Sequence, residues 1–123
     1  MTRWLCIAAL LLGSACISDN TAALSDYNVS GAATTVHIVD SPETVGEYVP
    51  GAAHVKVGEM VAFVNASGDY HTVTFFSGPE VPSSVGIAPG HTFETTFPAA
   101  GTYRFRCSYH QGMVGEIVVA ASP

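Results

Sequence analysis

The chain has 123 residues, which is enough for one compact domain and too few for two of ordinary size. With 48% hydrophobic and 11% charged residues, its composition is typical of a packed globular domain and excludes a disordered chain. Ten acidic residues against four lysines and arginines give a formal net charge of −6 at pH 7, which excludes nucleic acid as a partner.

The N-terminal segment has the composition of a secretory signal peptide. Arg3 precedes an apolar run from Trp4 to Leu12, and small residues follow as far as Ala15. The run is too short to cross a bilayer as a mature helix, and no later stretch of the sequence approaches the length needed. We therefore predict a signal peptide over residues 1–15 and an exported protein, located in the periplasm or at the cell surface.

Cys16 directly follows this small-residue stretch, an arrangement that resembles the lipobox of bacterial lipoproteins, in which the cysteine is lipidated after cleavage. The usual pattern has an aliphatic residue three positions before the cysteine, whereas Gly13 stands there and Leu12 lies one place further away. We predict lipidation of Cys16 and membrane anchoring; the alternative is simple secretion after cleavage behind Ala15. Residues 16–35 are small and polar and are predicted to form a flexible tether.

Residues 36–123 are predicted to form one all-β domain. Short stretches rich in Val, Ile, Thr, Phe and Tyr alternate with Gly and Pro, without sustained helical periodicity. The predicted strands are Val36–Asp40, Ala53–Val57, Met60–Asn65, Thr72–Phe76, Thr92–Phe97, Tyr103–Cys107 and Glu116–Ala120. Tight connections are expected at 57–60 and 97–101, and a longer irregular loop at 77–90. Seven short strands in this length predict a Greek-key two-sheet β-sandwich.

The strand that ends at Cys107 places this cysteine beside the core. Tyr103, Phe105 and Cys107 occupy alternate positions and share one face, while Arg104 and Arg106 share the other. The apolar face is expected to point inward. Cys107 is therefore predicted to lie where water can be excluded.

Three sulfur and nitrogen donors follow at three-residue intervals: Cys107, His110 and Met113. A thiolate, an imidazole and a thioether are soft or borderline ligands that suit copper, and two imidazoles with a thiolate and a weak axial methionine are typical of electron-transfer copper sites. The second imidazole is assigned to His71, which opens a predicted strand after the turn-forming residues 66–69. His37, His54 and His91 are weaker candidates.

Residues 103–115 read Tyr-Arg-Phe-Arg-Cys-Ser-Tyr-His-Gln-Gly-Met-Val-Gly and resemble the ligand loop of the cupredoxins, the type 1 blue copper proteins. Asn65 and His71 upstream stand where this family has them, and the ligand spacing and loop sequence are similar to those of amicyanin and plastocyanin. The resemblance implies a cupredoxin-like sandwich that binds one copper ion through His71, Cys107, His110 and Met113. It also implies that redox proteins dock near His110, whose counterpart reaches the surface.

Two residues next to the predicted ligands differ from this family. Tyr109 replaces the proline often found before the second histidine, and Thr72 replaces the asparagine often found after the first. A threonine can still form hydrogen bonds between the two ligand loops. We therefore predict that Thr72 supports the site without binding the ion.

The same residues also allow simpler interpretations. Cys107 can pair with Cys16 in a disulfide, or be a buried apolar residue while Met113 fills the core. A zinc site is disfavoured because structural zinc sites rarely recruit methionine.

The predicted function is one-electron transfer between redox partners, without enzymatic activity, by a monomer that cycles between Cu(I) and Cu(II). The alternative is copper delivery or storage, which favours exposed and exchangeable ligands. A catalytic copper centre needs an open coordination position or further metal ions, and the sequence contains no second ligand cluster. The negative net charge is compatible with a basic protein partner, or it simply keeps a small protein soluble.

Overall fold

The computed structural model describes residues 31–121. The predicted signal peptide, Cys16 and most of the predicted tether lie outside these residues. The described residues contain no apolar helix of membrane-spanning length.

Residues 31–121 contain eight strands. Their bounds are β1 Thr34–Val39, β2 Glu47–Val49, β3 Ala52–Lys56, β4 Met60–Asn65, β5 Thr74–Ser77, β6 Thr92–Thr96, β7 Gly101–Arg106 and β8 Val114–Ala120. They make two four-stranded sheets, with orders β2-β1-β4-β6 and β3-β8-β7-β5. The pairs β1–β4 and β3–β8 are parallel, and the other neighbours are antiparallel. The predicted all-β two-sheet sandwich is confirmed.

The differences from the predicted strands have local causes. β1 begins two residues early because Thr34 and Thr35 pair with β4. β2 was not predicted, since three residues are too few to show an alternating pattern. β5 begins at Thr74 rather than Thr72, because the chain before it pairs with the 77–90 loop: the Val73 carbonyl accepts the Ser84 N–H at 2.9 Å.

The core lies between the sheets and is rich in aromatic rings. Phe105 of β7 meets Tyr48 of β2 edge-on at 4.7 Å and Phe63 of β4 at 5.2 Å, measured between ring centroids. Phe63, Phe105 and Tyr103 are fully buried. The burial pattern of β7 matches the predicted alternation, with Tyr103 and Phe105 inside and the two arginines exposed. Cys107 therefore continues the buried face of β7.

Strand pairing brings two distant chain segments together at one end of the sandwich. β5 runs antiparallel to β7, and its first residue, Thr74, pairs with Arg106, the last residue of β7. The chain just before β5 consequently lies beside the chain just after β7. His71 and Cys107 occupy these two segments.

Candidate metal centre

The ligand loop, defined here as residues 107–113, is the connection between β7 and β8. The Cys107 N–H donates to the Met113 carbonyl at 3.0 Å, which closes the loop across its base. The Met113 N–H in turn donates to the His110 carbonyl at 3.4 Å. Gly112 has a φ of 83°, a left-handed conformation that glycine adopts without steric cost. The loop thus turns tightly enough to present several side chains to one point.

The backbone N–H and carbonyl of His71 are both hydrogen-bonded to one residue, Ile87. Its N–H donates to the Ile87 carbonyl at 3.2 Å, and its carbonyl accepts the Ile87 N–H at 2.7 Å, an isolated bridge outside the named strands. The buried Asn65 amide fixes the preceding turn by donating to the Asp69 and Ile87 carbonyls at 2.7 and 2.8 Å. His71 therefore lies in a loop that is fixed by hydrogen bonds, and not at the start of a strand as predicted.

Three donor atoms converge in the described part of the chain. Cys107 Sγ lies 3.8 Å from His71 Nδ1 and 3.4 Å from His110 Nδ1, and all three donors lie within 4.8 Å of one another. Nitrogen and sulfur ligands about 2.0 to 2.3 Å from a shared ion are about 3.5 to 4 Å apart in a trigonal plane. The observed separations fit three ligands of one ion.

Water has little access to these donors. His71 is fully buried, Cys107 is 3% exposed and is a free thiol, and only His110 is partly accessible. His37, His54 and His91 do not belong to the cluster found among residues 31–121. Of the predicted imidazole candidates, the structure therefore brings together His71 and His110 alone.

Met113 lies on the same side of His71 as Gly46, a buried glycine in the loop before β2. A Cβ atom placed on Gly46 would be 2.6 Å from His71 Cε1 and 3.4 Å from Met113 Sδ. The thioether and the imidazole therefore both border this glycine, and Met113 itself is only 3% exposed. No local sequence pattern marks Gly46, because its role depends on a close approach between distant segments.

Burial sets the protonation states around the site. It lowers the pKa of His71, and the neighbouring His110 lowers this pKa further, while Asp69 and Asp40 act in the opposite direction. A lowered pKa favours the neutral imidazole, which is the form that binds a metal ion. Burial also raises the pKa of Tyr48, and the electrostatic effect of Cys107 raises it further. Tyr48 consequently remains protonated and donates its hydroxyl to the Thr72 carbonyl at 2.5 Å.

Thr72 links the segment after His71 to the ligand loop. Its hydroxyl accepts the Ser108 N–H at 2.8 Å, and its own N–H points to Cys107 Sγ at 3.4 Å. These two contacts join the segment after His71 to the ligand loop at Cys107 and Ser108. Tyr48, whose hydroxyl bonds to the Thr72 carbonyl, was not predicted as part of the site because β2 is too short to show a strand pattern.

A two-sheet sandwich with a buried cysteine, two converging imidazoles and an adjacent thioether defines a mononuclear copper protein. The family model "Copper binding proteins, plastocyanin/azurin family" matches residues 35–120. Since this match spans most of the chain, the protein belongs to that family and binds copper. The predicted resemblance to the cupredoxins is confirmed.

Individual relatives agree with this assignment. Pea (Pisum sativum) chloroplast plastocyanin is 37% identical, with 58% of this chain and 51% of the pea protein covered. The matched part thus spans about half the length of that relative. Plastocyanin from Vicia faba is also 37% identical, with 58% of this chain and 86% of the relative covered.

Solved structures show the same fold. A reduced single-residue variant of amicyanin has a TM-score of 0.62 and 26% identity, covering 78% of this chain and 89% of amicyanin. A purple cupredoxin from Nitrosopumilus maritimus has a TM-score of 0.65 and 24% identity, covering 71% of this chain and 99% of that protein. At this identity the second comparison supports the fold alone.

Proposed function

We propose that this protein is a one-electron carrier that binds one copper ion through His71, Cys107, His110 and Met113. The observation that carries the proposal is the convergence of a buried thiol with two imidazole Nδ1 atoms at 3.8 and 3.4 Å. Bound copper supplies the Cu(I)/Cu(II) couple. The protein holds its donors in a packed frame, which limits rearrangement between the two oxidation states.

Copper delivery or storage is less well supported by the same geometry. Delivery favours ligands that a partner can reach and exchange. Here His71, Cys107 and Met113 are each at most 3% exposed, and the backbone on either side of His71 and within the ligand loop is hydrogen-bonded. Burial of three of the four proposed ligands therefore favours a retained ion and electron transfer.

We propose that redox partners dock on the surface around His110. His110 is the most accessible of the proposed ligands, and the exposed side chains of Tyr109 and Val114 line the same cleft as His110. The exposed Tyr70 and Tyr109 both lie against Gly86, since a Cβ placed there would be 2.8 Å from Tyr109 Oη and 3.6 Å from Tyr70 Cδ1. Aromatic surfaces of this kind are typical of protein interfaces.

The axial role of Met113 is testable by voltammetry of the copper-loaded protein. Wild type should give a reversible one-electron wave. Met113→Gln should lower the reduction potential because its amide donates more strongly to Cu(II), and Met113→Leu should raise it by removing a donor. Each tenfold change in the relative affinity for Cu(I) and Cu(II) corresponds to about 59 mV for one electron.

Met60, a partly buried methionine at the start of β4, provides the control. Met60→Leu should leave the potential unchanged, and both Met113 variants should still bind copper. Equal potentials for the wild type and the Met113 variants would refute axial ligation. Loss of copper from both would instead indicate a site that depends on methionine for binding.

We further propose that the protein is exported and anchored through a lipid on Cys16, from the sequence pattern of residues 1–16. The full-length protein is then expected in the membrane fraction, and Cys16→Ala should release it or block its maturation. Cys6→Ala, which changes a residue removed with the signal peptide, serves as the control. Mass spectrometry that finds an unmodified N-terminal Cys16 would rule out the anchor.

A further inference from the structure

The cationic side chains of residues 31–121 all lie on one face of the molecule. Lys56 ends β3, and Arg104 and Arg106 lie on β7, each at an exposed position of the β3-β8-β7-β5 sheet. Strand alternation places them on the outer side of this sheet, since Val55 and Phe105 point into the core. The protein has a formal net charge of −6, yet the lysine and arginine side chains of residues 31–121 all lie on one sheet face.

An aromatic ring lies between the two arginines of this face. Phe76 of the neighbouring strand β5 is 45% exposed, and the Cζ atoms of Arg104 and Arg106 lie 5.8 and 5.3 Å from its ring centroid. Contacts of this length are favourable cation–π interactions that hold both guanidinium groups over the ring. We name Phe76, Arg104 and Arg106 the basic patch.

The positive charge of the basic patch is only partly offset. Arg104 lies opposite Glu116 across the β7–β8 pair, whereas Arg106 lies opposite Val114 on β8 and Thr74 on β5. Glu80 lies further along the loop after β5 and shares a cleft with Phe76. Arg106 therefore has no carboxylate opposite it on either neighbouring strand.

The basic patch is continuous with the metal centre. Phe76 and Arg106 line the same cleft, of about 560 Å³, as Tyr109 and His110. Glu43 and Glu47 line a second cleft, together with Gly112 and Met113 of the ligand loop. Arg106 therefore shares a cleft with His110, whereas Glu43 and Glu47 line a separate cleft that does not include His110.

We propose that the basic patch docks an acidic surface of the redox partner and so fixes its orientation over His110. The proposal rests on the electron-carrier function and adds the charge of the partner. Opposite charges steer and orient a partner, and arginine and aromatic side chains make effective interface contacts. The net negative charge of the chain suits a basic partner or simply a soluble surface, whereas the charged side chain that shares a cleft with His110 is that of Arg106, which suits an acidic partner.

The test uses a spin-labelled hexaaspartate peptide as the acidic probe and amide NMR of the Cu(I) protein as the readout. The label should broaden amides of residues 74–77 and 104–110. Arg106→Gln should weaken this binding about threefold, the effect of losing one exposed charge pair. Lys56→Gln removes the same charge at the opposite end of the same sheet and should have little effect. Broadening that is equal in all three proteins, or centred elsewhere, would overturn the proposal.

Oxidation of the Cu(I) protein by hexacyanoferrate(III), which takes one electron and becomes hexacyanoferrate(II), gives a redox readout. The rate constant should fall about threefold in Arg106→Gln and remain at the wild-type value in Lys56→Gln. Equal rates would show that the patch does not guide electron transfer and would overturn the proposal. Failure of the proposed function is separate, because a wild-type protein without a reversible copper wave would disprove the carrier whatever the peptide does.

Discussion

Replacing Cys107 with serine should abolish the intense visible absorption of the copper-loaded protein. The colour of such a site depends on charge transfer from a thiolate sulfur, and a hydroxyl at the same position is a harder and far weaker donor. The domain should still fold, because its core rests on aromatic residues such as Phe63 and Phe105. The visible and EPR spectra test the site, and far-UV circular dichroism tests the fold.

Ser108→Ala is a suitable control for this variant. Ser108 is the exposed neighbour of Cys107, and its N–H, which bonds to Thr72, is retained in alanine. Its spectrum should resemble that of the wild type. Strong blue absorption that survived in Cys107→Ser would mean that the wrong cysteine had been assigned.

Substitution of Gly46 by alanine is expected to disturb the metal site, because Gly46 lies against both His71 and Met113. The new methyl group would lie 2.6 Å from His71 Cε1, so the imidazole, the Met113 thioether or the loop before β2 must move. Overpacking of this kind typically costs about 1–3 kcal/mol of unfolding free energy. We expect reduced stability in urea, weaker copper binding and an altered visible spectrum.

Gly68 provides the matched control for Gly46. A Cβ placed on Gly68 has no heavy atom within 4 Å, so Gly68→Ala should leave the spectrum close to that of the wild type. A Gly46→Ala protein with the same spectrum and stability as wild type would show that the loop before β2 does not pack against the ligands.

The sequence by itself determined the all-β class and the composition of the site. Strand alternation reports which side chains face the core, and β7 shows it clearly in Tyr103 and Phe105. The ligand loop could be recognised because three of its donors lie within seven residues of one chain segment. Short-range spacing of this kind is visible without any knowledge of the fold.

Only the tertiary structure decided how distant residues meet. The pairing of Thr74 with Arg106 brings His71 to Cys107 across 36 positions, and no local pattern encodes that distance. The same is true of Gly46 and Tyr48, whose contacts with His71 and Thr72 depend on the docking of a three-residue strand. Local periodicity specifies which face of a strand is buried, whereas sheet order and register specify which buried faces become neighbours.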